Sequence, residues 1–281
     1  MSSWLLYNGQ WIKDEAVLPV QNRAFQYGDG LFETMRTYGT EVVSAQRHFD
    51  RLKEGMRLLK LPMVPDLEIE NLTRLIAKMI NKNKWFKGAR LRLTVFREGA
   101  GKYTPLQNET SYVLVGEPYV VEPFYPFVGK GRIMGLYTDL LKPVSMLSPI
   151  KTLNCLQYVL AGIAAREQGV DDCFVVNINN VVIETVNANL ILLKDNMAIS
   201  PGPAVGALDG TMRLKVLELV HESGMEIVQR GLTTEELLNA DEIMLTNAVQ
   251  GIVWVKGFGE RRYYFEKSKQ FSARLNNLLN N

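Results

Sequence analysis

Two cysteines and two histidines among 281 residues leave little material for several common chemistries. Cys155 and Cys173 show no metal-ligand spacing, and Cys155 falls in an apolar helical pattern that makes it a small core residue. With only His48 and His221 to draw on, a zinc centre or a Ser-His-Asp hydrolase is poorly supplied. Charge of one sign is equally scarce. The 32 basic and 30 acidic residues give a formal net charge of +2, which argues against a nucleic-acid partner. No hydrophobic run approaches membrane-spanning length, and the start, Met1 to Gly9, lacks the charged and apolar regions of a signal peptide. A cytoplasmic protein without a membrane partner is therefore expected. What the chain does have is 47% apolar residues, enough for a substantial core in one large domain or two of ordinary size.

The first half reads as α+β. Residues 4 to 20 suggest short strands, with Asn8-Gly9 as a hairpin turn. Gly28-Asp29-Gly30 lets the backbone bend, and the next segment alternates Leu31, Glu33, Met35 against Phe32, Thr34, Arg36 as a strand does. Tyr27 and Arg36 are candidate site residues there, beside the plain reading of a turn and a strand. Ser44 is expected to cap a helix running to about Lys60, with Phe49, Leu52, Met56 and Leu59 as its buried stripe. His48 and Arg51 flank that stripe. Gly55, four residues beyond Arg51 on the same side, would leave room for an anion at the guanidinium; an ion pair with Asp50 or Glu54 is the alternative. A second helix follows from Asp66 with Ile69, Leu72, Ile76 and Met79 inward. Residues 89–97 form a strand with Ala89, Leu91, Leu93 and Val95 on its apolar face. Arg97 shares their parity and is a candidate carboxylate binder, whereas Arg90 and Arg92 project to the other side. After a strand at 111–116, the proline-rich stretch 117–126 reads as a linker. The expected division is an N-terminal domain at 1–117, a linker at 118–130 and a C-terminal domain at 131–281.

In the second half, an extended apolar approach through Ser148-Pro149-Ile150 ends at Lys151, and a helical pattern begins at once. Desolvation at such a junction lowers a lysine from its ordinary ~10.4 and supplies the neutral amine of Schiff-base chemistry. A lone lysine is more often a surface residue. Leu156, Val159, Leu160 and Ile163 share one helix face, and the helix ends near Gly169. A strand at 172–178 turns at Asn179-Asn180 and returns to Glu184, a carboxylate able to hold a cationic ring nitrogen or to pair with a structural arginine. Residues 206–213 lead into a helix whose Val216, Leu219 and Val220 face the core, and the amides of Gly210, Thr211 and Met212 make an anion site. Thr233 and Glu236 form a capping box. A strand at 241–246 leads to the turn 247–251 with further amides, and a last helix carries Phe271, Leu275 and Leu278.

Taken in order, Tyr27-Gly28-Asp29-Gly30-Leu31-Phe32-Glu33, His48-x-x-Arg51-Leu52, Lys151-Thr152-Leu153-Asn154, Glu184 through Asn189-Leu190, Gly210-Thr211-Met212-Arg213 and Thr246-Asn247-Ala248 resemble the class IV aminotransferases, the fold-type IV pyridoxal phosphate enzymes. The resemblance spans nearly the whole chain. It implies a smaller α+β N-terminal domain and a C-terminal pseudo-barrel, with pyridoxal 5'-phosphate between them and the site completed across a homodimer. Lys151 would form the Schiff base and act as general acid and base. Glu184 would hold the ring nitrogen, Asn189 would lie in the cofactor site, and Arg51 with Gly210, Thr211, Met212, Asn247 and Ala248 would hold the phosphate. Arg97, Tyr27, Arg36, Thr34 and Arg92 are the candidate substrate-binding residues. Within the family, Met212 and Asn247-Ala248 look more like 4-amino-4-deoxychorismate lyase, and Phe32-Glu33 more like the branched-chain and D-amino acid aminotransferases. The expected substrates are accordingly an amino acid with a 2-oxo acid, or aminodeoxychorismate. A non-catalytic binding protein on the same scaffold is a third reading.

Overall fold

The computed structural model describes residues 3–15 and 18–280, so positions 1, 2, 16, 17 and 281, which the sequence readings above include, lie outside the described residues. The chain groups into two compact units, Met1–Val120 with Ile150–Asn154, and Val121–Pro149 with Cys155–Asn281.

The first unit contains β1 (Trp4–Tyr7), β2 (Gln10–Lys13), α1 (Arg23–Tyr27), β3 (Gly30–Tyr38), β4 (Glu41–Val42), α2 (Ala45–Leu58), α3 (Ile69–Asn83), β5 (Ala89–Glu98) and β6 (Glu109–Pro118). Asn8 and Gly9 take positive φ values of 46° and 78°, as a two-residue hairpin turn between β1 and β2 requires. The strands form an antiparallel sheet in the order β2-β1-β6-β5-β3-β4. Successive side chains alternate across it, and α2 and α3 cover the face bearing Leu31, Met35, Leu91, Leu93, Val95 and Leu114. Phe49, Leu52 and Met56 of α2, with Leu72, Ile76 and Met79 of α3, supply the other half of this core, and Leu59 and Ile69 are only half-buried. Truncating a fully buried side chain such as Leu52 to alanine costs about 2–5 kcal/mol. Two local expectations change. Ser44 precedes α2 in a left-handed conformation, φ 56°, and its side chain makes no capping bond, because capping needs extended backbone at that position. A Cβ on Gly55 would meet Leu31 Cδ1 at 3.2 Å and Ile150 Cβ at 3.7 Å, so this glycine admits neighbouring side chains of the core rather than an anion.

The second unit contains β7 (Arg132–Lys142), α4 (Leu156–Glu167), β8 (Asp172–Asn177), β9 (Val182–Thr185), β10 (Asn189–Lys194), β11 (Met197–Ile199), α5 (Thr211–Glu222), β12 (Glu226–Val228), α6 (Thr234–Asn239), β13 (Glu242–Asn247), β14 (Gly251–Phe258), β15 (Arg261–Arg262) and α7 (Glu266–Asn280). Its sheet runs β12-β11-β10-β13-β14-β7-β8-β9, and a further pairing of β9 with β10 closes β10-β13-β14-β7-β8-β9 into a ring. The inward residues, among them Phe174, Val176, Leu190, Leu192, Ile243, Leu245 and Val255, fill the barrel. Outward residues meet α5 and α7 at Ile191, Leu193, Met244 and Ile252, and α4 at Tyr137, Cys173 and Val175. The Thr233–Glu236 capping box is present at the start of α6. On α4 only Ala161 and Ala165 are buried, whereas Leu156, Val159, Leu160 and Ile163 are exposed at 68%, 53%, 37% and 37%. Cys155 is half-buried at the N-cap of α4 rather than in a core, and Leu278 is exposed while Phe271 and Leu275 pack inward. Among the described residues, no helix is long and apolar enough to cross a membrane.

Candidate active site

In the first unit, Lys151 is carried by an added strand segment. The Phe32 amide donates to the Lys151 carbonyl at 2.8 Å, the Leu153 amide donates to the Gly30 carbonyl at 3.0 Å, and Leu31 and Thr152 form an antiparallel bridge. The helix starts only at Leu156, so Lys151 lies in a short extended segment five residues before the start of α4, not at a strand-to-helix junction. Main-chain pairing with β3 competes successfully with helix formation there. The same pairing places Lys151 opposite Phe32, and Nζ lies 4.2 Å from the Phe32 ring centroid. Across β3 and β5, Phe32 faces Thr94 and Thr34 faces Arg92. Directly opposed residues share a face, so Lys151, Phe32, Thr34 and Arg92 all project to the side away from α2 and α3. The Arg92 guanidinium lies 3.6 Å from the same Phe32 centroid. Arg36 has this parity as well and is buried against the Tyr119 ring at 4.7 Å. Tyr27, at the end of α1, packs on Tyr103 with ring centroids 5.7 Å apart.

On the opposite face of β3, Glu33 meets α2. Arg51 donates to it from Nε at 2.7 Å and Nη2 at 2.6 Å, and His48 donates from Nδ1 at 2.7 Å. Burial pushes the Glu33 carboxyl up, but Arg51 and His48 overcome this and hold it at about 2. Arg51 thus pairs with Glu33, a carboxylate the sequence reading did not offer beside Asp50 and Glu54. Arg97 also lies on the helix side. Its Nε donates to Asp29 at 3.1 Å, Nη1 to Asn108 and to the Lys60 carbonyl, and Nη2 to the Leu59 carbonyl at 2.5 Å. Arg97 thus binds the carbonyls of Leu59 and Lys60, the two residues that follow α2, and its parity points away from Lys151.

In the second unit, a row of outward side chains crosses the barrel surface where the ring closes. Val175, Glu184, Asn189, Thr246 and Ile252 oppose one another in turn along β8, β9, β10, β13 and β14. Glu184 is buried and accepts from Lys142 Nζ at 2.5 Å and Tyr158 Oη at 2.8 Å on Oε1, and from the Leu208 amide at 2.9 Å on Oε2. Burial, reinforced by the Glu184 charge, pushes the Tyr158 phenol far above its ordinary range and keeps it a donor. The alternative reading paired Glu184 with a structural arginine; the basic residue bonded to it is Lys142. A carboxylate offers about four acceptor positions, so Oε2 retains one beyond those used here.

Asn189 donates to the Leu208 carbonyl at 2.8 Å, and a Cβ on Gly210 would collide with Asn189 Oδ1, so glycine is required where α5 begins. The helical ladder starts with Leu214 donating to Gly210, and Gly210 supplies no side-chain cap at the start of α5. Arg213 is fully buried on Ser200 and Gln229, a structural use. At the turn after β13, the Val249 and Gln250 amides are taken by Asn247 Oδ1 at 3.0 and 2.8 Å, so fewer amides are on offer than the sequence suggested. The Thr246 hydroxyl is buried without a hydrogen-bond partner among the described residues. Sequence reading missed Lys142 and Tyr158. Lys142 carries the signal that singled out Lys151, a lysine ending an apolar strand, here followed by Pro143; Tyr158 lies off the apolar stripe of α4 and carries none.

The described geometry has counterparts among known proteins. Residues 30–258 match the family model for amino-transferase class IV. A putative branched-chain-amino-acid aminotransferase of Methanocaldococcus jannaschii is 29% identical over 252 residues, 88% of this chain and 84% of the relative. Aminodeoxychorismate lyase of Vibrio harveyi is 28% identical over 241 residues, 85% and 87% of the two chains. The crystal structure of 4-amino-4-deoxychorismate lyase from Pseudomonas aeruginosa superposes with a TM-score of 0.84 at 27% identity, covering 97% of this chain and 98% of that one. The fold is that of the fold-type IV enzymes, which depend on pyridoxal phosphate. With its match running from Gly30 to Phe258, the chain belongs to the class IV aminotransferase family.

Proposed function

We propose that this protein is a pyridoxal phosphate-dependent aminotransferase that moves the amino group of a small amino acid to a 2-oxo acid. The observation that carries the reading is the shared sheet face on which Lys151 and Arg92 both approach the Phe32 ring. A general base and a carboxylate-binding cation are thereby fixed side by side on paired strands, and a substrate held by its carboxylate at Arg92 would present its Cα to Lys151. Thr34, opposite Arg92, adds a hydroxyl, and Phe32 gives the two basic side chains an apolar wall.

The residues present fit the cofactor. Glu184 keeps an acceptor position on Oε2 for a ring N–H, and the buried Thr246 hydroxyl lacks a partner in the same outward row. The uncapped start of α5 at Thr211 and Met212 suits a phosphate dianion, and the family resemblance adds Arg51 and, in the turn after β13, Ala248 as phosphate ligands. Glu33 and His48 would hold Arg51 in one orientation for that purpose. When bound, pyridoxal phosphate draws electrons from the substrate Cα and makes its proton acidic. Lys151 Nζ would take that proton and return it, Arg92 would hold the carboxylate, and Glu184 would keep the ring nitrogen hydrogen-bonded. Asn189 braces the loop before α5 through the Leu208 carbonyl.

The second reading, aminodeoxychorismate lyase, is favoured by Met212 and Asn247-Ala248, which offer no hydroxyl at positions where the phosphate would lie. Assays separate the two. Amino transfer from an L- or D-amino acid, lost by about a thousandfold or more in Lys151→Ala, supports the aminotransferase. Release of pyruvate and 4-aminobenzoate from aminodeoxychorismate without amino transfer would replace it with the lyase. The exposed stripe Leu156, Val159, Leu160 and Ile163, at helical spacing on α4, supports a homodimer with a second copy covering it. Sedimentation of Val159→Glu as a monomer, against a wild-type dimer, is the expected outcome.

A further inference from the structure

Lys142 has no part in the chemistry assigned so far, yet its placement is closely determined. Between β7 and β8 the ladder passes from the pair Tyr137 and Val175 to the pair Lys142 and Asn177, so residues 138–141 bulge out and Lys142 rejoins the sheet. The Ile178 amide donates to its carbonyl at 3.0 Å, and its ammonium reaches the Ser148 carbonyl at 3.3 Å and Glu184 Oε1 at 2.5 Å. The side chain is buried, which a lysine tolerates only when paired. The polar groups converging on Glu184 are Lys142 from β7, Tyr158 from α4, with Cys155 beside that phenol, and the Leu208 amide ahead of α5; Asn189 lies opposite on β10. Of these only Lys142 carries positive charge. The carboxylate and the ammonium sum to zero, so a proton on a ring nitrogen at Glu184 meets a pair with no net charge instead of a bare anion.

We propose that Lys142 is a positioning residue that sets, through Glu184, how tightly the pyridine nitrogen of the bound cofactor holds its proton. The inference rests on the assignment of Glu184 to that nitrogen. A positive charge this close to the carboxylate weakens its pull on a second cation, and deleting it raises the proton affinity of the ring by about tenfold or more at an effective dielectric constant near ~20. A less firmly protonated ring withdraws electrons less strongly, so Lys142 would moderate the acidity of the substrate Cα.

The test uses the holoenzyme loaded with pyridoxal phosphate labelled with 15N in the ring, following the ring-nitrogen chemical shift as a function of pH. Lys142→Met is expected to raise the ring's proton affinity by about tenfold or more, and Lys142→Arg to hold it near the wild-type value. Lys142→Gln retains a donor toward Glu184 but not the charge; it carries the same expectation as Lys142→Met if that variant does not fold. Glu184→Gln is expected to lower the affinity. If Glu184→Gln shifts the titration and the neutral Lys142 variants do not, the role of Lys142 is refuted and that of Glu184 stands. If Glu184→Gln leaves it unmoved, the assignment of Glu184 itself falls. A lysine of purely structural importance would change stability and leave the ring titration where it was.

Discussion

Glu33 in the first unit and Glu184 in the second are 1% and 3% exposed, and each accepts hydrogen bonds from a basic side chain. Their partners differ in origin. His48 and Arg51 stand three residues apart on α2, so the bonds to Glu33 fasten one helix to one strand. Glu184 instead gathers Lys142, Tyr158 and Leu208 from sequence separations of 42, 26 and 24 residues. A clamp supplied by a single element serves packing and orients whatever that element carries. Convergence of several elements on one carboxylate ties distant segments of the chain to the position proposed here for the cofactor ring.

The comparison breaks most directly at Glu33. Glu33→Gln leaves Arg51 and His48 facing a neutral amide, and a loss of about 3–5 kcal/mol is expected in urea denaturation. A loss below about 1 kcal/mol would mean that the clamp does not fasten α2. Acid sharpens the contrast further. Because the Glu33 carboxyl lies lower in the folded chain than in the unfolded one, its contribution is complete above the ordinary carboxyl range and is lost as pH falls toward about 2. A decline of about 3 kcal/mol from this group is expected over that interval, absent from the same scan of Glu33→Gln. The smallest effect belongs to the second unit. Tyr158→Phe removes one donor to the carboxylate while Lys142 and Leu208 stay, so about 2 kcal/mol is expected, and a loss above about 3 kcal/mol would make Tyr158 part of a clamp like that of Glu33.

Periodicity made much of this arrangement legible in the sequence. The stripe Phe49, Leu52, Met56 located α2, and strict alternation located β5 and put Arg92 and Arg97 on opposite sides. Parity alone, however, does not say which side faces the chemistry. That depended on residues 151–153 pairing with β3 from a hundred and more positions away, and it left Arg92 rather than Arg97 beside Lys151. Ordered motifs brought out Lys151, Glu184 and Gly210. Lys142 stayed hidden because its meaning comes from Glu184, which reaches it only after the bulge at 138–141 and the return through β8 and β9. The apolar face of α4 reads identically whether covered by the same chain or by another, so periodicity could not foresee its exposure.

The segment Ile150–Asn154 completes the sheet of a unit whose other residues end at Val120. During synthesis, the edge of β3 at Gly30 to Phe32 therefore has no neighbour until the ribosome has added the intervening residues, a wait on the order of seconds at ~5–20 residues per second. An unpaired edge is the kind of surface on which nascent chains associate. The arrival of Lys151 and its neighbours ends that interval, so substitutions that weaken the pairing at 150–154 would lower the yield of soluble protein before they touched any reaction.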